Sequence, residues 1–457
     1  MQRMSALDAS FLLLEDGSTL LHLGAVAIFE GPAPSDEEFH RLVRGVLPLS
    51  RRHRQKARSV PLDLARPVWV DDPHFNLDYH LRRTALPAPG DDDQLRLLVG
   101  RVMSQQLDRT RPLWELWVVE GLAEGTWAQI HKFHHSMADG LAAMDMITLL
   151  LDREPDSPRP PPESWQPRPE PSHRRLIADA VGSQLANSTE PLRWAAAAVT
   201  HPRQATTRIG TTAKGAASLA GVGRPGSAST LTGPIGPHRR WTRSRASIGD
   251  VQTVRRAFGG TVNDVVLSLV TRGFRDLLLS RGEPVDGVRL RAQVPVSIRR
   301  PEQPGTGNRV GSMLVELPVG AADPVQRLHA ISAQVTHLKD VAQAIAGDDL
   351  MGLSGLAPAL VAPALRIATK LPQHSVHTVI TNLPGPPVPL YALGRQMLGM
   401  YPYVPLGGHM RIGVAVISHL GVLHFGFTGD QDSTTDLDVL RRGVDDGLTE
   451  LLEAVPG

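Results

Sequence analysis

"WAQIHKFHHSMADGLAAMDMITLLLD" occupies residues 127–152, and the change of period within it decides the fold. The turn signal "AEGT" at 123–126 precedes it. "WAQIHKFHH" then reads as a strand, the residues around Asp139 and Gly140 as a tight loop, and "LAAMDMITLLLD" as an amphipathic helix. That placement constrains the histidines. On a strand, His131 and His135 share a face but lie about 13 Å apart at roughly 3.3 Å per residue. Zinc–nitrogen bonds are only about 2 Å long, so one ion does not span them. His134 and His135 point to opposite faces. Were the segment helical, His131 and His135 would converge and a metal site would revive. A catalytic reading needs one imidazole at a strand end, facing a cleft. Histidine suits general-base work because its ordinary pKa is about 6.5. The plainer alternative is a turn whose polar residues satisfy one another.

Working outward, strand and helix signals alternate on both sides. "LGAVAIFEG" (23–31) and "LWELWVVEGL" (113–122) read as strands, and "DDDQLRLLVGRVMSQQL" (91–107) as an amphipathic helix. In the second half "RLRAQVPVSI" (289–298), "HTVITNL" (377–383) and "MRIGVAVISHLGVLHFGFTGD" (410–430) are rich in β-branched residues, while "VNDVVLSLVTRGFRDLLLSRG" (262–282) has helical spacing. The expectation is an α/β (α+β) protein with mixed sheets, built twice. "REPDSPRPPPESWQPRPEPSHRR" (153–175) has the proline and charge content of an extended linker. An Ala- and Leu-rich helical stretch and the Gly/Pro-rich 221–240 follow it. The expected division is therefore 1–152, a Pro-rich and helical crossover at 153–237, and 238–457.

Composition narrows the function. A chain of 457 residues is long enough for two cores. Its net charge of +2 lacks the concentrated basic stripe of a nucleic-acid partner. The absence of cysteine excludes disulfides, thiolate ligands and a cysteine nucleophile. "MQRMSALDASFLLLEDG" has acids inside its apolar run and no signal-peptide pattern, so a cytoplasmic protein is expected. The run "MGLSGLAPALVAPALRIATKLP" from Met351 meets Arg366 too early for a membrane span, which needs roughly 20 apolar residues. It reads as a buried helix pair or, with Arg366 and Lys370 at its end, as a patch touching lipid.

"HHSMADG" (134–140) matches an HHxxxDG signature, and other motifs accompany it in order. They are "SALDASFLLLE" (5–15), "RPLWELWVVEGL" (111–122), "GPIGPHRRW" (233–241), "TVNDVVLSLV" (261–270), "VPVSIRR" (294–300), "GNRVGSMLVELP" (307–318), "TNLPGPPVPLYALG" (381–394) and "VAVISHLGVLHFGFTGD" (414–430). Together they resemble the bacterial wax ester synthase/acyl-CoA:diacylglycerol acyltransferases, relatives of the chloramphenicol acetyltransferase type of CoA-dependent acyltransferase. Two positions depart from the usual pattern: Thr381 where serine is common, and His419 where tyrosine is usual.

The resemblance implies two chloramphenicol acetyltransferase-like domains with an active-site channel between them. Acyl-CoA would be the co-substrate, with no bound cofactor and no metal. The acceptor would be diacylglycerol or a fatty alcohol, giving triacylglycerol or wax ester without a covalent acyl-enzyme. His135 would be the general base, His134 a supporting residue, Asp139 a structural support and Gly140 the turn. Asn263 would donate to the developing oxyanion, although as an Asn opening a helical run it reads equally as an N-cap. Thr381 and Asn382 would be further contacts to substrate. Ser136 beside His135 invites a nucleophile reading, which sequence adjacency supports poorly. Pro112-Leu113-Trp114 reads as packing and turn. Lipid substrates would bring a cytoplasmic enzyme into peripheral contact with the inner membrane or a lipid droplet. Two other readings remain open: a lipid-binding scaffold without turnover, and an acyltransferase for a non-lipid alcohol.

Overall fold

The computed structural model describes residues 2–137, 144–145, 147–157, 165–188, 227–297, 310–345 and 376–456. Asp139, Gly140 and the run from Met351 to Lys370 lie outside the described residues.

Two six-stranded mixed sheets form the frame. The strands of the first sheet are β2 (His22–Phe29), β5 (Leu81–Ala85), β6 (Trp114–Glu120), β7 (Trp127–His134), β12 (Tyr391–Ala392) and β13 (Arg395–Tyr403). They run in the order β12-β13-β2-β7-β6-β5. The second sheet comprises β8 (Arg239–Ser247), β9 (Leu290–Ser297), β10 (Val310–Leu317), β11 (Thr378–Pro384), β14 (Ile412–His419) and β15 (Val422–Asp430). Its order is β10-β9-β11-β14-β15-β8, with β11 parallel to both β9 and β14. A small sheet of β1 (Gln2–Arg3), β3 (Gln55–Arg58) and β4 (Val68–Asp71) flanks the first.

Every residue of β7 is buried, so its alternating side chains feed two cores. Trp127 and Phe133 enter one cluster with Phe29, Trp69 and Trp114. Ala128 and Ile130 enter another with Leu95, Val99 and Trp241. The second sheet carries its own core, in which the helix Val262–Ser280 packs against the helix Leu437–Glu453.

Two contacts tie the expected segments of the chain together. β12 and β13 come from the 238–457 segment yet complete the first sheet, β13 pairing antiparallel with β2 through Met400↔Ala27 and Pro402↔Ala25. Described residues of the crossover also join the cores. Leu176 and Ala180 of the helix His173–Ser188 are buried against Val60, Val68 and Val70, and Leu231 is buried in the second core. Apolar residues spaced four apart in a helix fall on one face, and that face has found a partner.

The two sheets meet closely. A Cβ on Gly426 of β15 would stand 1.7 Å from the carbonyl oxygen of Pro402 in β13, so this crossing requires glycine. Ion pairs cross the same seam, Arg243 to Asp92 at 2.7 Å and Arg96 to Asp438 at 3.3 Å. Among the described residues no helix is long and apolar enough to cross a membrane.

Candidate active site

β7 ends at His134, and residues 135–137 turn away from it. Two backbone bonds fix that exit: the His134 amide donates to Leu113 O (2.9 Å) and the His135 amide to Leu21 O (2.8 Å). Leu113 thus anchors the motif through its carbonyl while its side chain is fully buried. Trp114 donates its indole N–H to His53 O at 2.8 Å and stacks on His80. This is the packing role expected of Pro112-Leu113-Trp114, joined to one contact with the site.

The three histidines occupy different environments. His131 is buried, its Nε2 lying 3.0 Å from Gln129 Oε1, and burial pushes its pKa down to about 3. His134 is fully buried as well. Its Nδ1 accepts the Ser136 N–H at 3.1 Å and lies 2.7 Å from the Ser136 hydroxyl. The serine hydroxyl is therefore engaged by His134, which removes the pairing with His135 that a nucleophile reading needs. His135 alone of the three is half-buried, and one face of its ring stacks on Phe11 with centroids 4.0 Å apart. Among the described residues no three His, Cys, Asp or Glu side chains are arranged to hold a metal ion.

Behind His134 lies a polar cluster that the motif does not announce. Glu15, the C-cap of the helix Ala6–Leu14, is buried. Its Oε1 is 3.3 Å from His22 Nε2 and 3.5 Å from His134 Nε2. Its Oε2 accepts from Arg109 (Nε 3.0 Å, Nη2 2.6 Å) and from Gln106 (3.2 Å). Burial by itself would raise this carboxyl, but the imidazoles of His134 and His22 beside it hold it well below the usual carboxylate range. Burial pushes His22 down to about 4. The register pairs His22 directly with His134. The sequence signal for Glu15 was present, since it closes "SALDASFLLLE", but nothing in that string shows which side chain it faces. Lys132 is buried too. Its ammonium reaches Val102 O at 2.9 Å and Gln105 O, and burial lowers it to about 8.

The remaining expected site residues stand on the second sheet's side. Asn263 is in the first turn of the helix Val262–Ser280, half-buried, and does not cap it. The cap is Thr261, whose hydroxyl accepts the Asp264 N–H (3.2 Å) while Asp264 Oδ2 accepts the Thr261 N–H (2.8 Å). This corrects the N-cap alternative, because Thr261 already fills that position. Thr381 and Asn382 are half-buried on β11 opposite Ala415 and Val416. Leu383, the next residue, packs on the apolar cluster that also holds Met137, two residues beyond His135. His419 is buried and bonded through Nδ1 to Pro386 O at 2.9 Å, a structural contact at the end of β14.

A cleft of about 700 Å³ opens at the seam between the sheets, lined by Arg96, Arg243, Tyr401, Arg441 and Asp445. It borders Ile28 and Thr126. That is the opposite end of the β2–β7 pair from His22 and His134, roughly 20–25 Å away at about 3.4 Å per residue. Its arginines pair with Asp92, Asp438 and Asp445, so it reads as a domain seam and not as the reacting centre.

The model for the wax ester synthase/diacylglycerol acyltransferase catalytic domain matches residues 4–266, and that for the WS/DGAT C-terminal domain matches residues 306–452. The chain belongs to the wax ester synthase/diacylglycerol acyltransferase family. It is 39% identical to the Mycobacterium tuberculosis protein named "Probable diacylglycerol O-acyltransferase tgs1", over 99% of this chain and 96% of that one. The structure of a wax ester synthase/diacylglycerol acyltransferase from Marinobacter aquaeolei VT8 superposes with a TM-score of 0.67 at 25% identity, covering 98% of each chain. The first condensation domain of the calcium-dependent antibiotic synthetase shares the fold, with a TM-score of 0.58 at 14% identity over 100% of this chain and 97% of that one. Family membership makes this WS/DGAT protein an acyl-CoA-dependent acyltransferase and sets aside the scaffold without turnover.

Proposed function

We propose that this acyltransferase esterifies diacylglycerol or a long-chain fatty alcohol, with His135 as the general base. One observation carries the assignment: of the three clustered histidines, His135 is the one that is not buried, and it sits where β7 gives way to a turn. Its ring nitrogen takes the proton of the acceptor hydroxyl while that oxygen attacks the thioester carbonyl. An alcohol is far less acidic than an imidazolium of pKa about 6.5, so proton removal accompanies attack. The new ester bond forms, the acyl–sulfur bond breaks, and the proton passes from His135 to the departing CoA thiolate. No acyl-enzyme is formed.

His134 supports this arrangement from the buried side, and Asp139 and Gly140 keep the structural-support and turn roles that the family motif implies. Asn263 from the helix Val262–Ser280, with Thr381 and Asn382 from β11, supplies donors to the oxyanion. Such preorganised donors are worth about 10²–10³-fold in rate. Lipid acceptors bring a cytoplasmic enzyme into peripheral contact with a membrane or a lipid droplet.

The test is thiol release from acyl-CoA with a panel of acceptors, diacylglycerol against fatty alcohols. His135→Ala is expected to lower turnover by at least about 10²-fold. Unchanged ester formation by that variant would remove His135 from the mechanism. Thiol release with small alcohols but neither lipid class would redirect the acceptor assignment.

A further inference from the structure

The helix Ala6–Leu14 touches both members of the histidine pair: Phe11 stacks on His135, and Glu15, one turn later, faces His134. A carboxylate whose side chain is 1% exposed is costly to keep ionised unless donors or cations surround it; here Arg109 and Gln106 bond one oxygen and two imidazole nitrogens lie 3.3 and 3.5 Å from the other. Its Oε2 is committed to Arg109 and Gln106, which leaves Oε1 for the two imidazoles. Because His134 Nδ1 accepts the Ser136 N–H, the neutral ring carries its hydrogen on Nε2, and that nitrogen needs an acceptor.

We propose that Glu15 is a positioning residue for acyl transfer, acting on His135 through His134. It receives the Nε2–H of His134 and so selects the tautomer whose Nδ1 holds Ser136. The Ser136 bonds in turn set the 135–137 turn from which His135 faces its substrate. A change of tautomer would leave either the Ser136 N–H or Glu15 unsatisfied in a buried place, and the turn would shift. Displacements of a fraction of an ångström in a reacting group are enough to reduce rate. The inference rests on His135 being the base.

The charged and titratable groups facing Glu15 are His22 from β2, His134 from β7 and Arg109 from the segment after the helix Asp92–Met103, with the buried Lys132 also in its field. Removing its negative charge lowers the proton affinity of the nearby imidazoles, so the acid limb of the kcat/KM profile is expected to move to lower pH.

The experiment uses the full-length protein as wild type, Glu15→Gln, His134→Gln, the double variant and His135→Ala, assayed by thiol release. Glu15→Gln is expected to lower kcat by about tenfold with both KM values within about twofold, and to displace the acid limb downward. In the His134→Gln background it is expected to add little. Should Glu15→Gln fail to fold, as read by its melting curve, Arg109→Gln loosens the same carboxylate from outside and is expected to act in the same direction more weakly. Wild-type kcat, an unmoved acid limb, or a loss that multiplies fully with that of His134→Gln would overturn the proposal. An inactive His135→Ala beside a fully active Glu15→Gln would remove the positioning role alone. A fully active His135→Ala would remove the general-base reading beneath it.

Discussion

His22, His80, His131 and His424 are buried and His53 half-buried, and desolvation pushes His131 down to about 3 and each of the others to about 4. An unfolded chain protonates the same side chains near pH 6.5. Between those limits the unfolded state binds more protons, so stability rises with pH through the window from about 4 to about 6.5. Glu15 acts in the same sense further down: its carboxyl is depressed in the fold, so its contribution is present above about pH 4.5 and is lost on acidification. The melting temperature is therefore expected to fall steeply from pH 7 to pH 4.5. A flat profile across that range would contradict the buried neutral histidines. At this scale the motif histidines were readable because HHSMADG sits between a strand signal and a helix signal. Glu15 and His22 were not, because their meeting depends on the pairing of β2 with β7 and on where the first helix ends.

The elements themselves are written locally. The helix Val262–Ser280 opens with a reciprocal capping box, Thr261 with Asp264, and two further helices open the same way, Ser35 with Glu38 and Asp91 with Gln94. Thr261→Ala is expected to cost about 1 kcal/mol, measured by chemical unfolding. It removes the hydroxyl acceptor and leaves the Asp264 N–H without that partner. No loss of stability would show that the helix start is held by packing instead. Strands β2, β6 and β7 coincide with their β-branched and aromatic runs. The residue at which β7 stops was less legible, since "WAQIHKFHH" continues one residue past the observed end. The turn begins there because Ser136 folds back onto His134 Nδ1, a local bond that competes with the ladder.

At the scale of the molecule, the notable feature is a strand that changes sides. β13 is the neighbour of β2, so without residues 391–403 the first sheet would present β2 as a bare edge. Exposed edges of this kind recruit other chains. Residues 1–226 expressed alone are expected to aggregate, and co-expression with 227–457 to restore a monodisperse complex by size-exclusion chromatography. A soluble, monomeric 1–226 fragment would show that β13 is dispensable to the first sheet.

Periodicity by itself determined the class, the two cores and the single strand-to-turn junction that carries the histidines, because hydrophobic alternation and turn chemistry act over a few residues. Family motifs added the reaction. Tertiary structure decided the rest. It placed β12 and β13 in the other sheet, packed part of the crossover helix against a small sheet, and brought Glu15, His22 and His134 together from three separate elements. Most of these contacts join residues a hundred or more positions apart. They exist because a buried polar group must find a partner wherever the fold supplies one, a requirement that no local window of sequence records.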